Sequence, residues 1–200
     1  MIAIIDYGAG NIFSVKNALD YLGVENKLTA DKNEICAADE IILPGVGAFP
    51  WAMKMLRDSG LVDTIREEAR KKPFLGICLG MQLIFDKGYE FEETDGLRLI
   101  GGKVEKIDRK NMIIPHMGWN ELEINRDCPI LKGLSEHPYV YFVHSYAAVC
   151  DDANVSAYCD YGGKITALVH DGAYVYGAQF HPEKSGEVGL QMLRNFAELA

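Results

Sequence analysis

Cys78 lies between two glycines in a segment that could present a nucleophile. Residues 73–82 (PFLGICLGMQ) have the pattern of a short buried strand followed directly by a helix. Glycines two residues before and two after the cysteine allow a tight bend without Cβ clashes, as in the G-x-S-x-G elbow with a thiol in place of the hydroxyl. The helix N-terminus would favour the thiolate. A small structural cysteine on a strand-to-helix turn explains this motif equally well, so other segments must decide.

A cysteine nucleophile needs a base, and the chain has five candidate histidines: His116, His137, His144, His170 and His181. His181 stands out because it follows an apolar strand pattern, residues 174–180, and because only Pro182 separates it from Glu183. The rigid proline fixes the spacing, so the carboxylate could hold the imidazole in one tautomer. The H-P-E motif is weak by itself. Combined with G-x-C-x-G-x-Q it predicts a triad of Cys78, His181 and Glu183.

The first half of the chain predicts the strand and helix alternation of a doubly wound sheet. Strands are predicted at residues 1–6, 24–28, 40–43 and 74–77, and helices at 12–22, 51–57 and 61–72. The loop Gly45-Val46-Gly47 follows the third of these strands, and Cys78 follows the fourth. Open parallel sheets place their ligands at the carboxyl edge, where both segments are expected to lie. A simple β–α turn is the alternative explanation for the two glycines.

The second half is richer in strand patterns. They fall at residues 112–114, 139–143, 165–169 and 174–180, before a closing helix at 183–199 with Leu193, Phe196 and Leu199 on one face. No linker or repeat separates the halves, so one domain over residues 1–200 is expected. The predicted fold class is α/β, an open and mostly parallel sheet flanked by helices, with a β-rich mixed or antiparallel extension.

Composition and charge argue against several classes of protein. The chain is 48% hydrophobic and 24% charged, and no apolar run approaches the roughly 20 residues of a membrane span. With no signal peptide in the pattern, a cytoplasmic protein is expected. Five cysteines without C-x-x-C spacing argue against a disulfide framework and a zinc site. A net charge of −9 argues against nucleic acid as a partner. Gly8 and Gly10 begin a dinucleotide fingerprint, but Phe13 occupies the third glycine position, so no cofactor and no metal are predicted.

Residues 76–82 together with His181-Pro182-Glu183 resemble the triad-type, class I glutamine amidotransferases, which release ammonia from the side-chain amide of glutamine. Five further segments are similar to the glutaminase subunits of imidazole glycerol phosphate synthases, and the similarity covers essentially the whole chain: residues 6–11 (DYGAGN), 44–49 (PGVGAF), 115–120 (PHMGWN), 141–146 (YFVHSY) and 181–185 (HPEKS). Pro50 and Trp51 depart from this pattern, but neither occupies a catalytic position.

The resemblance implies a partner and a set of site residues. L-Glutamine would be hydrolysed here, and the ammonia would pass to a (β/α)8-barrel cyclase subunit that makes imidazole glycerol phosphate and AICAR from PRFAR in histidine biosynthesis. The oxyanion would be held by the loop Gly45, Val46 and Gly47 and by the N–H of Leu79, which follows the nucleophile. Glutamine would be bound by Gln82, His144, Ser145 and Tyr146. The cyclase would be contacted by Asn11, Trp119, Tyr141 and Lys184.

Several alternatives stay open on sequence alone. Gln82 could be a solvated helix residue, Trp119 could fill the core, and Lys184 could be a solvated helix start. The ammonia could serve another acceptor, such as chorismate or a pyridoxal-forming synthase, although residues 115–120 argue against this. A degenerate regulatory module is disfavoured by the intact triad and oxyanion loop.

Overall fold

The computed structural model describes residues 1–109 and 112–200, in which fourteen strands and six α-helices are formed. The strands are β1 Ile2–Ile5, β2 Asn26–Thr29, β3 Glu40–Gly45, β4 Phe74–Cys78, β5 Lys87–Gly88, β6 Thr94–Asp95, β7 Gly102–Lys106, β8 His116–Glu121, β9 Glu123–Ile124, β10 Tyr139–His144, β11 Tyr146–Cys150, β12 Val155–Asp160, β13 Lys164–His170 and β14 Val175–Ala178. The helices are α1 Ile12–Tyr21, α2 Lys32–Ala37, α3 Phe49–Asp58, α4 Val62–Glu68, α5 Leu79–Leu83 and α6 Gly186–Phe196. No helix among the described residues has the length and apolar character needed to cross a membrane.

One eight-stranded sheet organises the chain, in the order β2-β1-β3-β4-β14-β13-β12-β9. The five strands from β2 to β14 are parallel, and the last three continue the sheet antiparallel. Strands β10 and β8 form an antiparallel pair, and β11, β7, β5 and β6 form a small mixed sheet. The predicted fold class is therefore confirmed.

The parallel strands are buried on both faces because their sequences are continuous apolar runs. Side chains alternate across a strand, so Ile4 and Ile42 enter one core with Leu19 of α1 and Phe196 of α6. Ile41 and Phe74 enter a second core with helices α3 and α4. Helices therefore pack on both faces of the sheet, and the functional site can form at its carboxyl edge, where the parallel strands end.

Some element boundaries differ from those predicted. Helix α2 was missed, although Asp31 caps it by accepting from the N–H groups of Asn33 and Glu34. Residues 112–114 form no strand, and residues 110–111 lie outside the described part of the chain. The closing helix begins at Gly186, because Pro182–Lys184 forms a separate 3-10 turn, and it ends at Phe196, so Leu199 is not helical. Strands β7, β8, β11 and β12 were not predicted individually: glycine and charge interrupt the alternation of β7 and β8, and small residues weaken the pattern of β11 and β12.

Candidate active site

Cys78 lies at the end of β4, and α5 begins at the next residue. Its φ of +54° is in the left-handed region, which is strained for a residue with a side chain and is typical of a nucleophile elbow. The flanking glycine at 80 is required by a close approach: a Cβ on Gly80 would lie 1.8 Å from the carbonyl oxygen of Leu43. The tight bend was predicted, but the cysteine itself takes the positive φ and Gly80 provides the clearance.

His181 and Glu183 form a buried pair beside Cys78. The Nδ1 of His181 lies 2.7 Å from Oε1 of Glu183, and the two side chains are 2% and 0% exposed. Burial alone would lower the pKa of His181, but hydrogen bonds and charge interactions with Cys78 and Glu183 outweigh it and raise the pKa to about 9. The imidazole is therefore suited to hold a proton taken from the Cys78 thiol. The predicted triad residues lie together.

The pair is fixed by neighbouring elements. The N–H of His181 donates to the carbonyl of Tyr141 on β10 at 3.0 Å. Ser185 joins the same two residues, because its Oγ donates to the carbonyl of His181 at 2.7 Å and accepts from the N–H of Tyr141 at 3.0 Å. Asn11, predicted as a partner contact, donates through Nδ2 to Oε1 of Glu183 at 3.2 Å. Asn11 therefore supports the triad carboxylate, whatever else it contacts.

A cavity of about 410 Å³ opens above Cys78. Its lining brings together most of the predicted oxyanion and substrate residues: Val46, Gly47, Leu79, Gln82, His144, Ser145 and Tyr146. Gly45 is the register partner of Cys78 in the sheet, so the loop starts beside the nucleophile. The lining also includes Glu90, Pro115 and Val143, which were not predicted. A larger open cleft of about 1130 Å³, which includes Trp51 and Phe91, does not include Cys78.

Gln82 is buried at 5% exposure, so the solvated-helix alternative is wrong. Its Nε2 donates to the carbonyl of Tyr146 and to Oε1 of Gln179, each at 3.0 Å. Gln179 is fully buried, and its Nε2 lies 3.9 Å from the sulfur of Cys78. Gln179 was missed, although it stands two residues before His181 and so has the period of a strand face.

His144 is committed to internal hydrogen bonds. Its Nδ1 lies 2.8 Å from the carbonyl of Tyr146, and its Nε2 lies 3.0 Å from Nδ1 of the buried His116. Burial lowers the pKa of His144 to about 4, so its ring is neutral near pH 7. His144 is therefore not the base and carries no charge for a substrate.

Within residues 1–109 and 112–200, no three His, Cys, Asp or Glu side chains are grouped to hold a metal ion.

The antiparallel pair β8 and β10 presents an apolar face next to the cavity. Trp119 is 54% exposed, so it does not fill the core, and it meets the half-buried Tyr141 edge to face at 6.1 Å. Met117 and Tyr139 are exposed on the same strands. Lys184 is also exposed, one residue after Glu183. The opposite face of this pair carries the buried His116, Phe142 and His144.

Comparison with known proteins agrees with this geometry. Residues 3–199 match the family model described as glutamine amidotransferase class-I. The chain is 52% identical over 197 residues to the imidazole glycerol phosphate synthase subunit HisH of Bacillus cereus (strain G9842), covering 98% of this chain and 93% of that protein. Its identity to the HisH subunit of Bacillus anthracis is 51%, with the same coverage.

A solved glutamine amidotransferase structure superposes with a TM-score of 0.77 at 23% identity, covering 100% of this chain and 98% of the other. This likeness reports the fold. The family match spans all of the residues that build the elbow, the buried His–Glu pair and the cavity. The chain belongs to the class-I glutamine amidotransferase family.

Proposed function

We propose that this chain is the glutaminase subunit of an imidazole glycerol phosphate synthase, which supplies ammonia to a (β/α)8-barrel cyclase subunit. The observation that carries the glutaminase activity is that Cys78 and His181 line a cavity of about 410 Å³, with the buried Glu183 bonded to His181 behind it. The assignment to an imidazole glycerol phosphate synthase is supported by the HisH subunits of Bacillus cereus and Bacillus anthracis, to which the chain is 52% and 51% identical over almost its full length.

The reaction begins with transfer of the Cys78 proton to His181. The thiolate attacks the side-chain amide carbon of glutamine, and His181 returns the proton to the departing ammonia. His181 then takes a proton from water, which attacks the thioester and releases glutamate. Glu183 stabilises the imidazolium through the bond at Nδ1, a role that its full burial strengthens.

Two backbone N–H groups are proposed to hold the oxyanion. Leu79 is the first residue of α5, so its N–H has no acceptor within the helix and is free to donate to a ligand beside Cys78. Val46 would supply the second donor from the loop between Gly45 and Gly47, which lines the same cavity. Losing one such donor typically lowers the rate by about 10²–10³-fold.

Glutamine is a zwitterion, so its cavity needs groups for an ammonium and a carboxylate. Glu90 lines the cavity and is proposed to bind the α-ammonium group. The turn of Ser145 and Tyr146 between β10 and β11 is proposed to receive the α-carboxylate. Gln82 and His144 support that turn, because both bond to the carbonyl of Tyr146.

The apolar face of Trp119, Tyr141, Met117 and Tyr139 is proposed to dock the cyclase. Such exposed aromatic clusters are typical of interfaces. The backbone of Tyr141 bonds to His181 and Ser185, so a partner on this face would contact the strand that holds the base. Asn11 bonds to Glu183 and Lys184 follows it in sequence, so these two residues would form the part of the interface nearest to the triad.

A glutaminase assay tests this proposal in three mixtures: the chain alone, the chain with the cyclase and its substrate, and the chain with a chorismate-using or pyridoxal-forming synthase. Glutamate release should be slow for the chain alone and should rise about 10²-fold or more when the cyclase and its nucleotide-like substrate are present, since the second oxyanion donor is then supplied. Hydrolysis absent from all mixtures would contradict the glutaminase activity. Stimulation by a chorismate-using or pyridoxal-forming synthase, but not by the cyclase, would assign another acceptor.

Gly47→Pro tests whether the oxyanion loop is the element that responds to the partner. Gly47 has φ +98° in open space, and proline would fix φ near −65° and remove an N–H. Because proline also restricts the backbone of the preceding residue, Val46 should no longer turn its N–H toward Cys78, and activity with the cyclase and its substrate should fall by about 10²-fold while basal activity changes little. Both rates are measured from glutamate release.

Gly172→Pro is the matched control for this variant. Gly172 has φ +86° and also stands in open space, but it lies in the turn before β14, at the opposite edge of the sheet from Cys78. Its substitution should leave the degree of stimulation unchanged. Equal loss of basal and stimulated activity in Gly47→Pro would mean that the loop is not the switch.

A further inference from the structure

The oxyanion loop is held between two anchors. At its first end, Gly45 pairs with Cys78 in the sheet and is pressed against α5, where a Cβ on Gly45 would lie 2.6 Å from the N atom of Gly80. At its second end the chain enters α3 at Phe49, whose side chain is fully buried. Only residues 46–48 lie between these points, so the position of Phe49 limits where the peptide of Val46 can point.

The second anchor depends on Glu90, a residue from a distant part of the chain. The N–H of Phe49 donates to Oε2 of Glu90 at 2.8 Å, across 41 positions of sequence. Ala48, the N-cap residue of α3, provides no side-chain bond to the first turn, so Glu90 supplies the capping carboxylate from outside. A hydrogen bond to a charged acceptor is stronger than a neutral one, and the N-terminus of α3 favours the negative charge.

The same carboxylate faces the glutamine cavity. Glu90 is half-buried in its lining, and its negative charge adds to burial in raising the pKa of Tyr146 across the cavity. A carboxylate has two oxygens, so Glu90 can hold Phe49 through Oε2 and present Oε1 to a ligand. Glu90 therefore connects the substrate cavity with the end of the oxyanion loop.

From this geometry we infer that Glu90 is a positioning residue for oxyanion stabilisation. By holding the N–H of Phe49, it fixes the end of the loop that carries the N–H of Val46. This inference rests on the proposed glutaminase function and adds a role separate from binding of the substrate ammonium. Binding of the ammonium affects KM, whereas alignment of an oxyanion donor affects kcat. A residue that only capped α3 would change the stability of the fold without this effect on kcat.

The experiment compares Glu90→Gln with Glu90→Ala in the complete complex with cyclase and its substrate. Glutamine keeps an oxygen that can accept from Phe49 but loses the charge, so Glu90→Gln should raise KM and keep kcat within about threefold of the wild type. Alanine removes the acceptor, so the kcat of Glu90→Ala should be about tenfold lower than that of Glu90→Gln. Glu92→Ala, an exposed glutamate two residues away, is the control and should change neither value.

Alkylation of Cys78 by iodoacetamide separates the loop from the nucleophile. This displacement uses the thiolate but forms no oxyanion, so its rate should stay within about twofold of the wild type in both Glu90 variants. An alkylation rate that falls in parallel with kcat, or a kcat equal in Glu90→Ala and Glu90→Gln, would overturn the positioning role. A wild-type complex that hydrolyses no glutamine would overturn the proposed function itself, and the role of Glu90 with it.

Discussion

Cys78→Ser should lower glutamine hydrolysis by about 10⁴-fold or more while leaving the fold and the cyclase interaction intact. Serine fills nearly the same space, but its hydroxyl does not transfer its proton to His181 to form an anion as readily as the thiol does. The measurements are glutamate release by the complex, thermal unfolding of the variant, and the cyclase reaction supplied with free ammonium. The ammonium-dependent reaction should persist, because only the supply of ammonia is removed.

Labelling by a glutamine-like chloroketone tests directly whether Cys78 is the nucleophile, since the reagent should modify Cys78 alone. Burial raises the pKa of Cys128, and burial with nearby acidic groups raises the pKa of Cys150 to about 11 and that of Cys159 to about 12, so these thiols are poor nucleophiles. Cys36 is exposed, and Cys36→Ser is therefore the matched control. Loss of activity on labelling any cysteine other than Cys78 would contradict the assignment.

His181→Ala should abolish activity about as completely as Cys78→Ser, and Glu183→Gln should remain about 10²-fold more active than His181→Ala. The amide of Glu183→Gln can still accept from Nδ1 of His181 but no longer stabilises the imidazolium. The pKa of His181, about 9 with the carboxylate present, should therefore move downward in Glu183→Gln. Glutamate release and a titration of the histidine rings by NMR measure the two effects.

Glu187→Gln, an exposed acid at the start of α6, controls for the loss of one negative charge near the triad. It should change neither the rate nor the titration of His181. A lower activity in Glu183→Gln than in His181→Ala would mean that the roles of base and orienting group are reversed. Ammonium-dependent cyclase activity should survive in all three variants.

The sequence determined the proposed nucleophile, the proposed base and the sheet edge on which they meet. The apolar runs before Cys78 and His181 are long enough to be buried strands, and parallel strands end at one edge of a sheet. The register confirms this: Gly45 is the partner of Cys78, and Ala178, three residues before His181, is the partner of Ile77. Local pattern was sufficient because each motif follows its own strand directly.

Element boundaries were less predictable where the chain is not periodic. Helix α2 is only six residues long and buries a single side chain, Ile35, so it gives little helical periodicity. The apolar residues 112–114 suggested a strand, but Ile113 is 81% exposed and pairs with none of the strands formed by residues 1–109 and 112–200. A short apolar run becomes a strand only if another strand is placed beside it.

Only the tertiary structure decided which loops meet around the triad. Asn11 reaches Glu183 across 172 positions, Gln82 reaches Gln179 across 97, and Glu90 reaches Phe49 across 41. Some of these residues, such as Glu183 and Gln82, belong to motifs, but no local pattern indicates which distant residue each one contacts. Periodicity and spacing describe neighbours along one element, whereas hydrogen bonds between loops depend on how the sheet twists and on which helices pack against it. The positions of the proposed nucleophile and base could therefore be predicted from the sequence, while the contacts of their supporting residues depend on the fold.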